Sequence, residues 1–379
     1  MRVVFHNPQD SIWYKQKFKF PFKRIGTEKY GYLLDFYINR DNIVYVFLDN
    51  LNFYQKKHRY FRAFLTLCNF YFWICYNRMN PFKFKILNAC ELKTEDFLFF
   101  FAYGNLDEKW MDGSRKHVLL DVLKNLRCQK VVHLTHFYSN AMNISEACAE
   151  VGIDLFVAEN NLYKNSKFFQ KAFSWYDRNV YCLPFFGQSR FVSFKPFEDR
   201  LNLAIASGTL TLGVDDLEYL SFFNSSEVHP MRRIIYEKRD ELLGVLDCNI
   251  SPIMERRGDF SQKNYFGVNI VDLFNKYRMF VVPEEQCGLP GISFVEGMLC
   301  GSVFIGIEDA MYRDLNLIDG LNYIAYDGSL DDLVSKIKYY QNDYELLERI
   351  SKNGLKWAQQ ITNKNLLVGD LENYLITMT

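Results

Sequence analysis

Residues 279–306, MFVVPEEQCGLPGISFVEGMLCGSVFIG, read as a strand (MFVVP), a glycine-bearing turn (CGLPGIS), a helix (FVEGMLCG) and a second strand (SVFIG). Strand, helix and strand in this order belong to a parallel α/β sheet. The turn between them makes an anion site. Backbone N–H groups at Gly291, Ile292 and Ser293 fall in the first helical turn, where they have no intrahelical acceptor, and the positive end of the helix favours phosphate there. Glycine lets a ligand come close to the backbone. One turn further in, Glu296 is placed to accept hydrogen bonds from two vicinal hydroxyls, as on a ribose. The combination suits a nucleoside diphosphate.

The rest of the chain repeats the α/β pattern. Apolar runs rich in β-branched and aromatic residues recur at 43–48, 97–101, 130–134, 155–158 and 180–183, separated by helix-like or polar segments. A second series follows at 203–207, 279–283, 303–306 and 323–326, with helical patterns at 229–246, 294–299 and 330–340. Between the two series, residues 184–199 (PFFGQSRFVSFKPFED) interrupt periodicity with Pro and Gly. A chain of 379 residues also exceeds the roughly 250–300 at which one core stops growing. Two domains are expected, 1–195 and 196–379. The end of the chain, 344–379, reads as helix with a break at 362–365, which allows the last helix to pack on the first domain.

Composition narrows the partners. Lys plus Arg and Asp plus Glu both total 45, so no global field favours nucleic acid and an anionic ligand needs a local site. The nine Cys include no Cys-x-x-Cys pair and mostly sit in apolar runs, as small hydrophobes in a reducing compartment. The first residues, MRVVFHNPQDSIWYKQ, are too polar for a signal peptide, and a cytoplasmic location is expected. The longest apolar run, 63–76 (AFLTLCNFYFWICY), is shorter than the roughly 20 residues of a spanning helix. It reads as a buried helix or, given its basic flanks, as a segment lying on the inner face of an anionic membrane.

Residues 288–301, G-L-P-G-I-S-F-V-E-G-M-L-C-G, resemble the motif E-G-P-G-I-S-F-L-E-A-M-x-x-G of the family-4-type glycosyltransferases (glycosyl transferases group 1) of bacterial polysaccharide and lipopolysaccharide biosynthesis. The resemblance continues through IDGLNYIAYD at 318–327, and it covers most of 279–340; residues 1–120 carry no feature of the family. The resemblance implies a GT-B fold, in which two Rossmann-like doubly wound domains face one another across a cleft. It implies a nucleotide-diphospho-sugar donor on the second domain, a glycan or lipid-linked acceptor on the first, and retaining transfer with no further cofactor. Within it, Glu296 is the family's second glutamate. The first falls on Gly288, and a shifted loop path that brings in Glu285 is the alternative. An Arg and a Lys six residues apart, which neutralise the diphosphate in the family, match Arg232 and Lys238, with Arg233 as an alternative; the competing reading is an exposed basic helix face paired with Glu237, Asp240 and Glu241. His136, at the end of the strand KVVHLTH, matches a family histidine on the acceptor side, whereas His133 reads as core. Ser207, Gly208 and Thr209 follow the first strand of the second domain and are placed to line the cleft.

No Asp-x-Asp ends an apolar strand, so a metal-independent reaction is expected. Two other readings stay open: a binding or scaffolding subunit of a glycan-assembly complex, suggested by Gly288, and a nucleotide-sugar epimerase.

Overall fold

The computed structural model describes residues 1–9, 17–19, 23–25, 28–40, 42–48, 51, 59–101, 120, 122–134, 141–158, 166–183, 189–211, 228–253, 269–284, 291 and 293–379. The chain forms two compact units. One comprises Met1–Glu159, Phe169–Phe186 and Asn363–Thr379, the other Asn160–Phe168 and Gly187–Thr362.

The first part of the chain forms β1 (Val3–His6), β2 (Lys17–Lys19), β3 (Lys23–Ile25), α1 (Glu28–Asn39), β4 (Val44–Phe47), α2 (Arg59–Tyr76), β5 (Phe84–Leu87), β6 (Phe97–Phe101), β7 (Gln129–Leu134), α3 (Ala141–Val151), β8 (Leu155–Ala158), α4 (Lys167–Ala172) and β9 (Val180–Cys182). Seven of these strands make one sheet in the order β5-β4-β1-β6-β7-β8-β9, with every pairing parallel; β2 and β3 pair separately and antiparallel. Strands β1, β6 and β8 are almost wholly apolar, as strands buried on both faces require.

The second unit contains β10 (Leu201–Thr211), α5 (Pro230–Glu237), β11 (Leu246–Ile253), α6 (Ile270–Lys276), β12 (Tyr277–Val281), α7 (Ser293–Leu299), β13 (Val303–Ile307), α8 (Ala310–Asp314), β14 (Ile324–Tyr326), α9 (Leu330–Gln341) and α10 (Tyr344–Ile361). Its five strands are parallel, in the order β11-β10-β12-β13-β14. Both sheets are therefore doubly wound and Rossmann-like. Each reverses direction beside its first strand, between β1 and β6 in one and between β10 and β12 in the other. Such a reversal opens a crevice at the carboxyl ends of the two strands.

The last helix, α11 (Lys364–Thr377), returns to the first unit. The break before it has a local cause: Thr362 caps the end of α10, and the Asn363 side chain accepts from the N–H groups of Asn365 and Leu366 to start the next helix. Leu367, Val368, Leu371 and Leu375 of α11 then join Val3, Phe5, Phe97, Phe99 and Val131 in the core of the first unit. Tyr37 and Arg40 at the end of α1 both donate to Glu372 of α11, at 2.7 and 2.9 Å.

One expected helix is shorter than its sequence pattern. The 229–246 tract is helical only over Pro230–Glu237; residues 238–245 are turns, and β11 begins at Leu246. Strands β1, β2, β3, β5 and β11 had no counterpart among the expected runs.

Candidate functional site

In the second unit, β10 runs on past its neighbour. Its last register with β12 is Ala206 against Val281, whereas with β11 it continues to Thr211 against Ile253. Gly208 thus lies just beyond the carboxyl end of β12, on the β12 side of the point where strand order reverses. A Cβ on Gly208 would stand 2.8 Å from Nε of Arg232 and 3.0 Å from its Cζ. The guanidinium lies directly on the glycine, and only the absence of a side chain allows it. Arg232 is buried, and its Nε donates to the carbonyl oxygen of Pro283, 3.0 Å away, just after β12. One arginine, carried by α5, therefore spans the first and third strands of this unit at their carboxyl ends.

Glu284, the next residue, holds that carbonyl in place. It turns inward and is buried, and its Oε1 accepts from the Tyr312 hydroxyl at 2.6 Å and from the Ile307 N–H at 3.1 Å. Burial pushes the Glu284 carboxyl above the ordinary carboxylate range, against the pull of these two donors and of the Arg232 charge. The loop after β12 is thereby tied to the end of β13 and to α8, and Arg232 is tied to the loop.

The strand, helix and strand of the 279–306 segment take the form their sequence indicates, and residues 285–290 of the turn lie outside the described residues. β12 ends at Val281, α7 starts at Ser293 and β13 at Val303. Ser293 and Gly291 are half-buried, and Glu296 is buried in the first turn of α7. Gly297 has a packing role: a Cβ there would run into the ring of Phe280 on β12, so α7 lies close against the sheet.

The other candidates divide by burial. Lys238 is exposed at the C-cap of α5, whereas Arg232 near the other end of the helix is buried. Arg233 pairs with Glu237 at 3.6 Å, one turn along, which is the helix-face pairing. Ser207 is buried in β10. Thr209 belongs to the same strand, in register with Ser251, and its side chain lies outside the described residues. Ile292, Glu285, Gly288 and His136 also lie outside the described residues. His133 is buried in β7, between Phe101 of β6 and Val157 of β8. Among the described residues no group of three His, Cys, Asp or Glu is placed to hold a metal ion, and no helix is long and apolar enough to cross a membrane.

The reversal point of the first sheet carries residues that sequence reasoning did not single out. His6, Asn7 and Gln9 are all buried at the carboxyl end of β1. The His6 ring lies 4.7 Å from that of Phe100 and 6.2 Å from that of Phe47, and the Asn7 N–H donates to the Phe47 carbonyl at 3.0 Å. Asn7 has φ +39, a left-handed turn at the tip of the strand. The available signal was the polar tetrad HNPQ directly after the apolar VVF.

No protein-family model matches the chain, and no curated protein matches it by sequence. Among solved structures, it is similar to HepE of Anabaena in complex with UDP, at 13% identity, with both chains covered in full and a TM-score of 0.51. It is also similar to HepE in complex with UDP-glucose (12%, both chains in full, 0.50) and to sucrose-phosphate synthase of Thermosynechococcus elongatus (12%, both chains in full, 0.51). At such identities the likeness is one of fold. The fold, two Rossmann-like domains with parallel sheets, is that of GT-B glycosyltransferases.

Proposed function

We propose that this protein is a glycosyltransferase that moves a sugar from a nucleotide-diphospho-sugar to a glycan or lipid-linked acceptor, with retention at the anomeric carbon and without a metal ion. The observation that carries this reading is Arg232, buried against Gly208 and Pro283 where the strand order of the second sheet reverses. A buried guanidinium at that crevice is a pre-organised counter-charge for an anion. Sugar transfer from such a donor leaves a diphosphate that gains negative charge as the glycosidic bond breaks. A cation already oriented at the leaving group lowers that barrier more than it stabilises the ground state. Ser293 and Gly291 would bind diphosphate oxygens through backbone N–H groups, and Glu296 the ribose. Lys238 would be the second cation of the pair, with Arg233 as the alternative, Glu285 would contact the donor sugar, and Ile292, Gly208 and Thr209 would complete the lining. The first domain would hold the acceptor, with His136, and with His6, Asn7 and Gln9 at its own reversal point. The motif at 288–301 favours cell-surface polysaccharide assembly as the context.

UDP and UDP-glucose, present in complexes of HepE, are the first ligands to try. Calorimetry with the pure protein, followed by a transfer assay, is the test. Arg232→Ala and Glu296→Ala are expected to reduce turnover by at least about a hundredfold, the range found when one charged hydrogen bond to a transition state is removed. Unchanged turnover in both variants defeats the proposal. Gly288, in the place of a family glutamate, favours a second reading, a scaffold subunit with the same fold. Absence of binding to any nucleoside diphosphate would select it, and release of an epimerised nucleotide sugar without acceptor would select an epimerase.

A further inference from the structure

Helix α2 is apolar on two opposite sides. Phe70, Trp73 and Ile74 point into the core of the first unit with Leu67 beside them. At about 100° per residue, Phe61, Phe64, Leu65, Cys68, Phe72, Cys75 and Tyr76 fall on the opposite side, and all are exposed. Phe61 and Phe64 are each 61% exposed and Phe72 68%. The stripe is about 24 Å long, at 1.5 Å per residue. Just past the helix, Phe82 is 92% exposed at the start of a short 3-10 turn. Soluble helices turn polar residues outward; this one turns phenylalanines.

The charge of the sequence segment that holds α2 is one-sided. Between Asp49 and Glu91 there is no Asp or Glu, while Lys56, Lys57, Arg59, Arg62, Arg78, Lys83 and Lys85 contribute seven positive charges. Because the whole chain has 45 of each sign, the remainder holds 38 basic against 45 acidic residues (45 less 7). The segment that carries the apolar stripe is therefore basic in a chain that is neutral as a whole. Arg78 and Lys85 are exposed. Lys83 donates to the carbonyls of Ile38 and Arg40, at 3.1 and 2.9 Å, which fixes the turn bearing Phe82 to the body of the unit. Arg78 itself, at φ +54, ends α2 in a left-handed turn, with the Met79 N–H donating back to Ile74 at 3.0 Å. The stripe and Phe82 are therefore held on a rigid frame.

We propose that this face of α2, with Phe82, docks the protein on an anionic lipid bilayer. The aromatic rings would enter the boundary between headgroups and acyl chains, with the helix axis in the membrane plane, and the basic residues would meet the phosphates. The helix α2 does not cross the bilayer, because its inner side is committed to the protein core. The inference stands apart from sugar transfer, and it holds or fails whether or not the protein is an enzyme.

The test is flotation of the full-length protein with vesicles of phosphatidylethanolamine and phosphatidylglycerol, against vesicles of phosphatidylcholine alone. The protein is expected to float with the anionic vesicles, at least tenfold less with neutral ones, and to be released as salt rises. Phe64→Ser with Phe72→Ser is expected to weaken binding at least tenfold, with an unchanged melting temperature. Should that pair fail to fold, Phe82→Ser and Lys85→Glu, both at exposed positions outside the core, give the same readout with smaller losses. Failure of the wild-type protein to float, or equal flotation of all variants, overturns the proposal. So does a concentration-dependent dimer, abolished by the paired variant, in a protein that ignores vesicles; the stripe is then an interface between copies. Binding to polyanions such as heparin that equals binding to vesicles, and survives loss of the phenylalanines, also overturns it.

Discussion

Arg232 and Gly208 act as one unit, since the arginine occupies the volume a side chain at 208 would need. Gly208→Ala is therefore expected to shift the guanidinium and weaken nucleoside diphosphate binding by about tenfold or more, roughly 1.4 kcal/mol, and also to lower the melting temperature, because φ +154 at this position disfavours a side chain. Calorimetry of the variant beside wild type decides it; equal affinity would show that Arg232 does not meet the ligand. Glu284 behaves differently, because its oxygen satisfies a buried hydroxyl and a partly buried amide at once. Glu284→Ala leaves both groups without an acceptor and is expected to cost about 2–4 kcal/mol of stability, whereas Tyr312→Phe removes one donor only and costs about 1 kcal/mol. Chemical denaturation of the two variants measures the difference. His133 gives a pH signature. Burial lowers its pKa from 6.5 to about 4, so between those values the unfolded chain binds a proton that the folded one does not. Stability is unaffected by this residue above about pH 6.5 and falls as pH drops towards 4, by up to about 3 kcal/mol. His133→Leu is expected to flatten that part of the curve.

At the scale of elements, the α7–β12 contact trades helix propensity for closeness. Alanine is about 1 kcal/mol better than glycine inside a helix, yet at position 297 a methyl group would meet the buried Phe280 ring. Overpacking of this kind costs roughly 1–3 kcal/mol. Gly297→Ala alone is expected to lower the melting temperature, and Gly297→Ala with Phe280→Leu to recover it; additive losses would refute the packing account. The 288–301 resemblance has Ala at this position, so the aromatic on the neighbouring strand explains the departure. Elements with strong apolar runs, such as β6 at Phe97–Phe101 and β8 at Leu155–Ala158, were legible residue by residue. Strand β11, LDCNISPI, was not. It is an edge strand with an Asp, an Asn and a Pro, and an edge tolerates what a central strand does not. The helix expected to run to 246 stops at Glu237, because amphipathic spacing cannot see where the chain must turn to reach its partner β10.

For the molecule as a whole, the C-terminal helix belongs to the first unit although the chain before it belongs to the second. Its four buried side chains, Leu367, Val368, Leu371 and Leu375, represent about 6–12 kcal/mol of apolar burial. That rivals the net stability of a domain, about 5–15 kcal/mol. Truncation after Thr362 is expected to abolish protection of the β1–β6–β7 amides in hydrogen exchange while sparing β10–β14. Equal protection in both sheets would mean that α11 is dispensable.

The sequence by itself determined the class of the fold and the order of the motif. Periodicity and turn residues are local properties, and the strand–turn–helix–strand at 279–306 depends on neighbours a few residues away. It also singled out Arg232 and Lys238 as a pair, with Arg233 as an alternative. Only the tertiary structure showed that Arg232 is buried on Gly208 and Lys238 exposed. Only it turned Glu284 inward, brought His6, Asn7 and Gln9 to the reversal point of the first sheet, and put the phenylalanines of α2 on the outside. Each of these outcomes depends on residues far apart in the chain meeting across a sheet or around a helix. Local pattern carries no information about which face of an element finds a partner.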